Sequence, residues 1–194
     1  MSTSNNTFLN SRLACARNEY ALDSWLRVFI TLVGSDRGIL LIHGAGTRLG
    51  NNAFLFAGIS GRGKSTITRI LGVRNALSDE ITLLEERNKA VYAYSTPFWG
   101  ELARPATKPQ PAKPLKCLLF LQHGTSLVPH PLDQGAALTR LMATILFFSR
   151  EPKTARGMMQ SAVHIATRVP AASLYFSLHN TRQQLCRLLK GYPL

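Results

Sequence analysis

The chain has 194 residues, 45% of them hydrophobic, and a formal net charge of +13. That is enough apolar material for one full-sized core, and it excludes a disordered chain. The longest apolar runs, 115–121 (broken by Lys116) and 141–148, are far shorter than the ~20 residues a membrane helix needs.

In chain order, residues 1–19 read as an N-terminal tail, and 1–6 lack the charged start and apolar core of a secretory signal. Leu22, Trp25, Leu26, Phe29, Ile30 and Val33 recur at helical spacing, predicting an amphipathic helix over 20–33 that covers a sheet. Residues 34–38 break it, 39–43 form a short buried strand, and 44–52 are expected to be a Gly-rich turn or hairpin. Residues 52–57 read as a buried strand and 65–71 as a helix. A hairpin pairs 81–84 with 91–94 across 85–89. Residues 104–114 hold four prolines and three basic residues, which predicts an irregular, exposed loop. A buried strand over 115–122, helices over 135–148 and 154–169, a strand over 173–178 and a helix over 181–189 follow. The whole is expected to be α/β, one domain over 20–194 with a central mixed sheet flanked by helices.

Between the strand at 52–57 and the helix at 65–71 lies Gly58-Ile59-Ser60-Gly61-Arg62-Gly63-Lys64-Ser65-Thr66. It fits the phosphate-binding pattern G-x-x-x-x-G-K-[ST] without a mismatch. Its glycines let backbone N–H groups turn toward a phosphate chain, and the following helix presents its positive end. Lys64 is placed to reach the β/γ-phosphates and the Ser65 hydroxyl to ligate Mg²⁺. The expected ligand is therefore a nucleotide phosphate with Mg²⁺. Gly58, Ser60, Gly61, Arg62, Gly63 and Thr66 complete the cradle.

The second acid of such a site is not where most phosphate-loop ATPases carry it, because 118–121 runs into Gln122-His123. The paired acids that follow the loop are Asp79-Glu80, with Asp79 21 residues beyond Gly58. A carboxylate there can take the proton of an acceptor hydroxyl, and Glu80 can support the metal.

Three further elements accompany these residues: His43-Gly44 upstream, Ser78-Asp79-Glu80 after the loop helix, and Thr96-Pro97-Phe98-Trp99-Gly100-Glu101. Taken in order, the set resembles the kinase domain of HPr kinase/phosphorylase and its shortened bacterial relatives, some of which accompany lasso-peptide pathways. The resemblance covers about a third of the chain, from Ile39 to Glu101. It implies a fold related to phosphoenolpyruvate carboxykinase and ATP-dependent phosphorylation of a serine hydroxyl on a peptide or small protein. It carries the general-base role to Asp79 and gives His43 a part in tuning that base, by a hydrogen bond to Asp79 or the γ-phosphate. No counterpart of the family's E-I-R-G-L-G or R-P-G-R-N segments is found, so phosphorylase activity and a hexamer are not expected; nor is HPr expected as substrate, since the family's full-length regulatory N-terminal domain has no counterpart in the sequence.

Charge and cysteines bear on partners. From Arg87 onward 14 Lys/Arg face three acids, a net +11, which suits an acidic peptide, a nucleic acid or a solvated face. No nucleic-acid reading motif accompanies it, and no membrane partner is expected. Cys15, Cys117 and Cys186 are odd in number and far apart, which argues against a disulfide framework or zinc site and for a cytoplasmic setting. Two alternatives stay open: a non-catalytic nucleotide-binding scaffold of a biosynthetic cluster, and a small-molecule kinase with 104–116 as a lid.

Overall fold

A computed structural model describes residues 19–59, 61–102 and 111–191. The predicted tail, Cys15, Ser60 and most of the Pro-rich loop lie outside the described residues.

Helix α1 (Glu19–Gly34) ends at a short 3-10 turn, Ser35–Arg37, and Gly38 reverses the chain with φ +73°. Strand β1 (Ile39–Leu49) is twice the predicted length. Gly44 and Gly46, expected in a turn, are buried inside it. A Cβ on Gly46 would meet Thr82 Oγ1 at 2.7 Å and Leu77 Cβ at 3.2 Å. These glycines serve close packing, and the turn shrinks to Gly50 and Asn51 before β2 (Asn52–Ala57).

Helix α2 (Lys64–Leu71) follows the loop, then β3 (Ala76–Ser78), β4 (Ile81–Arg87) and β5 (Ala90–Tyr94). The β4–β5 hairpin is tighter than predicted. Arg87 pairs with Ala90, and the two turn residues Asn88 and Lys89 both have positive φ, as a type I′ turn requires. Strand β6 (Lys113–His123) takes in Lys113 and Pro114 from the stretch expected to be irregular. Pro114 sits in its first turn-side residues, opposite Tyr92, where a missing N–H is tolerated. Strand β7 (Val128–Pro131) was not expected, given its two prolines. It is the outer strand beyond β8 (Ala171–Phe176), the position where proline costs least.

Helix α3 (Gln134–Met142) stops six residues short of the predicted helix over 135–148. The Asp133 side chain caps its start by accepting the Ala136 N–H at 2.8 Å. Beyond Met142 the chain extends along β1: His43 donates its N–H to Thr144 O at 2.7 Å, and Leu146 donates to Leu41 O at 2.8 Å. Ladder hydrogen bonds to β1 and the β-branched Ile145 outweigh the helical spacing of the local sequence. Helices α4 (Pro152–Arg168) and α5 (Arg182–Gly191) lie close to their predicted bounds.

The eight strands form one mixed sheet in the order β2-β1-β4-β5-β6-β8-β7, with β3 on β1 and a further β2–β6 pairing that closes the first five strands on themselves. Strands β2, β6 and β8 run parallel, so their C-terminal ends gather on one edge. Ala53, Leu55 and Ala57 face the core shared with α3 and α4, while Phe54 and Phe56 face the one shared with α2 and α5. The β2–β6 register steps from Ala53↔Leu115 to Phe54↔Cys117, leaving Lys116 in a bulge. That is why a charged residue can interrupt this buried run without breaking it. Burial pushes the Cys117 thiol up to about 12, so it stays an inert core group. The fold is thus α/β with helices on both sheet faces, and no described helix is long and apolar enough to cross a membrane.

Candidate functional site

The glycine-rich segment that follows β2 leads from the C-terminal end of that strand into α2. Gly61 and Gly63 have φ of +79° and +89°, which glycine adopts without strain. Gly63 has a second reason to be glycine: a Cβ there would lie 2.4 Å from Phe176 Cζ. Lys64 folds back over the loop, its Nζ donating to Gly58 O at 2.8 Å and Ile59 O at 3.3 Å. Burial lowers its pKa, against the raising effect of Glu80 and Glu101.

A cavity of about 450 Å³ opens over this loop. The sequence-predicted residues Gly61, Gly63, Lys64, Ser65 and Thr66 line it from one side, and His43, Asp79 and Glu80 from the other. Elements well separated in sequence therefore face one space. Gly58 and Arg62 open instead onto a neighbouring cavity, and Ser60 lies outside the described residues. His43 borders both cavities.

The acidic turn is built by side-chain hydrogen bonds. Ser78 is fully buried, and its Oγ accepts the N–H groups of Glu80 and Ile81 at 3.1 and 3.0 Å while donating to Phe98 O at 2.6 Å. Asp79 is 2% exposed. Its Oδ1 accepts the Gly100 N–H and its Oδ2 the Leu102 N–H, both at 2.8 Å. These bonds fix the orientation of the carboxylate. Thr96 ties the same loop to β4 through Ile81 O, and Phe98 is packed away with Leu41 and Ile81. The Thr-Pro-Phe-Trp-Gly-Glu element is thus the scaffold of Asp79. Gly100 lets it approach, since a Cβ there would stand 3.2 Å from Glu80 Cβ.

His43 is expected at a strand end, hydrogen-bonded to Asp79 or the γ-phosphate. It lies within β1, and no His43–Asp79 hydrogen bond forms among the described residues. Burial, then the Lys64 charge, lowers its pKa, Glu80 works against them, and Arg27 adds to the lowering. The imidazole is held toward its neutral form.

Sequence reasoning missed Arg27. It reaches from α1 to Glu80 at 3.4 Å, pairs with Asp23 at 2.6 Å and lies over the Phe98 ring at 5.1 Å. A cation inside an otherwise apolar helical stretch was the available signal. Glu101 lines the loop cavity and reaches Arg69 at 3.8 Å. His123 is exposed and lines neither cavity.

Ser65, Asp79 and Glu80 offer hard oxygens to one cavity, beside a lysine and the N-terminus of α2. Among the described residues no three His, Cys, Asp or Glu side chains group into a metal cage. The set suits an ion that keeps waters and shares phosphate oxygens, as Mg²⁺ does.

Comparison with curated proteins yields no match. Among solved structures, the Hpr(Ser) kinase/phosphatase from Coxiella burnetii is similar at 9% identity and a TM-score of 0.45, over 78% of this chain and 95% of that one. A family model described as SynChlorMet cassette protein ScmC matches residues 21–186, most of the chain, which therefore belongs to the ScmC family.

Proposed function

We propose that this protein is an Mg²⁺/ATP-dependent kinase that phosphorylates a serine hydroxyl of a peptide or small protein. One observation carries the reading: Lys64 and Ser65 of the phosphate loop face Asp79 and Glu80 across a single cavity. Bound Mg²⁺ and ATP would supply the transferable phosphoryl group and offset its charge. Loop amides and the α2 N-terminus bind and orient the phosphates. Lys64 would exchange its two carbonyl contacts for phosphate oxygens. Ser65 and Glu80 would hold the metal, and Asp79, fixed by two N–H donors, is oriented to accept the acceptor's proton. His43, kept neutral, can also accept or relay that proton. The family's description as a cassette protein agrees with an acceptor encoded nearby.

The test is to incubate the full chain with γ-labelled ATP, Mg²⁺ and the peptides encoded beside its gene, and to locate label by mass spectrometry. Phosphoserine on one of them is the expected result. A chain that binds neither ATP nor ADP by calorimetry rules the reading out. A second reading, a non-catalytic nucleotide-binding scaffold, is favoured by the commitment of both Asp79 oxygens to backbone donors. Tight ATP binding with no transfer to any acceptor would support it.

A further inference from the structure

The cavity on the other side of His43 is larger, about 540 Å³, and has a different character. Its floor is Phe120, Leu121, Ile145 and Leu146, and it carries two guanidinium groups, Arg62 and Arg140. None of the described residues lining it is an Asp or Glu. The volume lies within the roughly 300–1,000 Å³ usual for ligand pockets. Arg140 is held in place: it donates to the buried Ser173 Oγ at 2.7 Å and stands 6.0 Å from the Phe120 ring centroid. The cavity exists because α3 stops at Met142 and the following residues extend along β1.

Its position relative to the loop assigns it a direction. A phosphate-loop lysine reaches the β/γ-phosphates, the far end of the nucleotide. Lys64 Nζ rests on the carbonyls of Gly58 and Ile59, and both residues line this second cavity. The loop amides and Ser65, which take the inner phosphates and metal, line the acidic one. Lys64 itself lines the acidic cavity, so the terminal phosphate would sit at the border that His43 shares with the apolar one.

We infer that this apolar, arginine-bearing cavity is the acceptor subsite, and that it takes a peptide segment carrying an apolar side chain next to a carboxylate. The inference rests on the kinase reading above. The choice of an acidic segment follows from charge complementarity with Arg62 and Arg140. It agrees with the net +11 of the chain beyond Glu86.

The test uses the full chain and two fluorescein-labelled degenerate octapeptide mixtures around a fixed serine, one of Leu/Phe with Asp/Glu and one of Leu/Phe with Lys/Arg. Binding is read by anisotropy with saturating ADP and Mg²⁺, and ADP affinity by calorimetry. The acidic mixture is expected to bind at least tenfold more tightly. Ala143→Trp fills the cavity from an exposed position, and should weaken that binding at least tenfold while ADP affinity stays within twofold. Arg140→Glu should reverse the preference between mixtures. The inference is overturned if neither mixture binds, if both bind equally, if Ala143→Trp leaves peptide binding unchanged, or if it weakens ADP instead, which would make the cavity a nucleoside pocket. Transfer from γ-labelled ATP is scored separately. Peptide binding without ADP binding or transfer refutes the kinase reading and overturns the acceptor role, leaving the cavity as a peptide-binding site only.

Discussion

Asp79 Oδ1 accepts the backbone N–H of Gly100 at 2.8 Å, and this bond gives the carboxylate proposed as the base a structural duty as well. Asp79→Asn keeps one acceptor for Gly100 but turns an amide N–H₂ toward the Leu102 N–H, leaving that donor unpaired. A buried donor without a partner costs about 1–3 kcal/mol. The variant should lose phosphoryl transfer, keep ADP binding within a few fold, and unfold in urea with stability reduced by that amount. Retained transfer sinks the base assignment. Unchanged stability would mean that the Leu102 bond contributes nothing.

Gly63 and Phe176 make the second test. Alanine at 63 meets both a φ of +89° and a ring atom 2.4 Å from its Cβ. The dihedral alone costs roughly 1–2 kcal/mol for a residue with a Cβ, and the contact must be relieved by moving Phe176 or α2. Gly63→Ala should therefore lower the melting temperature and abolish binding of inorganic tripolyphosphate. Adding Phe176→Leu should recover part of the stability but not the phosphate affinity, because the dihedral is untouched. Full recovery of both would show that the ring contact, and not the loop conformation, demands glycine.

Much of the site was legible because its chemistry is written in contiguous residues. The loop 58–66, the pair Asp79-Glu80 and the element 96–101 each act through local spacing, so their types and intervals could be read directly. Residues supplied from a distance could not. Arg27 reaches Glu80 across 53 positions, and Arg140 lines the neighbouring apolar cavity only because β6, β8 and α3 converge there. The same limit explains the misread segments. Residues 143–148 have helical spacing, yet β1 offers Leu41 and His43 as ladder partners that no local window contains. Gly44 and Gly46 carry turn-forming residue types, but their absent side chains make room for Leu55 and Thr82.

That packing gives a test away from the site. A methyl group on Gly46 would stand 2.7 Å from Thr82 Oγ1 and 2.9 Å from its Cγ2, and Thr82 Oγ1 donates to Gly44 O at 2.8 Å. Overpacking of this kind costs about 1–3 kcal/mol. Gly46→Ala should lose that much in urea unfolding. The double variant Gly46→Ala/Thr82→Ala should be more stable than the sum of the single effects predicts, since the clash has been removed. Simple additivity would place the cost elsewhere.

His43 offers a reading of the site's electrostatics without any ligand. Its pKa lies below 6.5 because burial and then Lys64 disfavour the imidazolium, Glu80 opposes them, and Arg27 adds a smaller lowering effect. The His43 ring resonances should therefore titrate below pH 6.5 in the folded chain. Lys64→Met removes a lowering charge and should raise the midpoint; Glu80→Gln removes the opposing one and should depress it further. The linkage sign follows. Above pH 6.5 the group is neutral in folded and unfolded chains and contributes nothing to stability. As pH falls from 6.5 toward the depressed folded value, the unfolded chain binds the proton first, and stability falls. In His43→Gln that component of the acid loss should vanish. A midpoint at or above 6.5, or opposite shifts in the two charge variants, would show that His43 does not share the field of the loop lysine and the acidic turn.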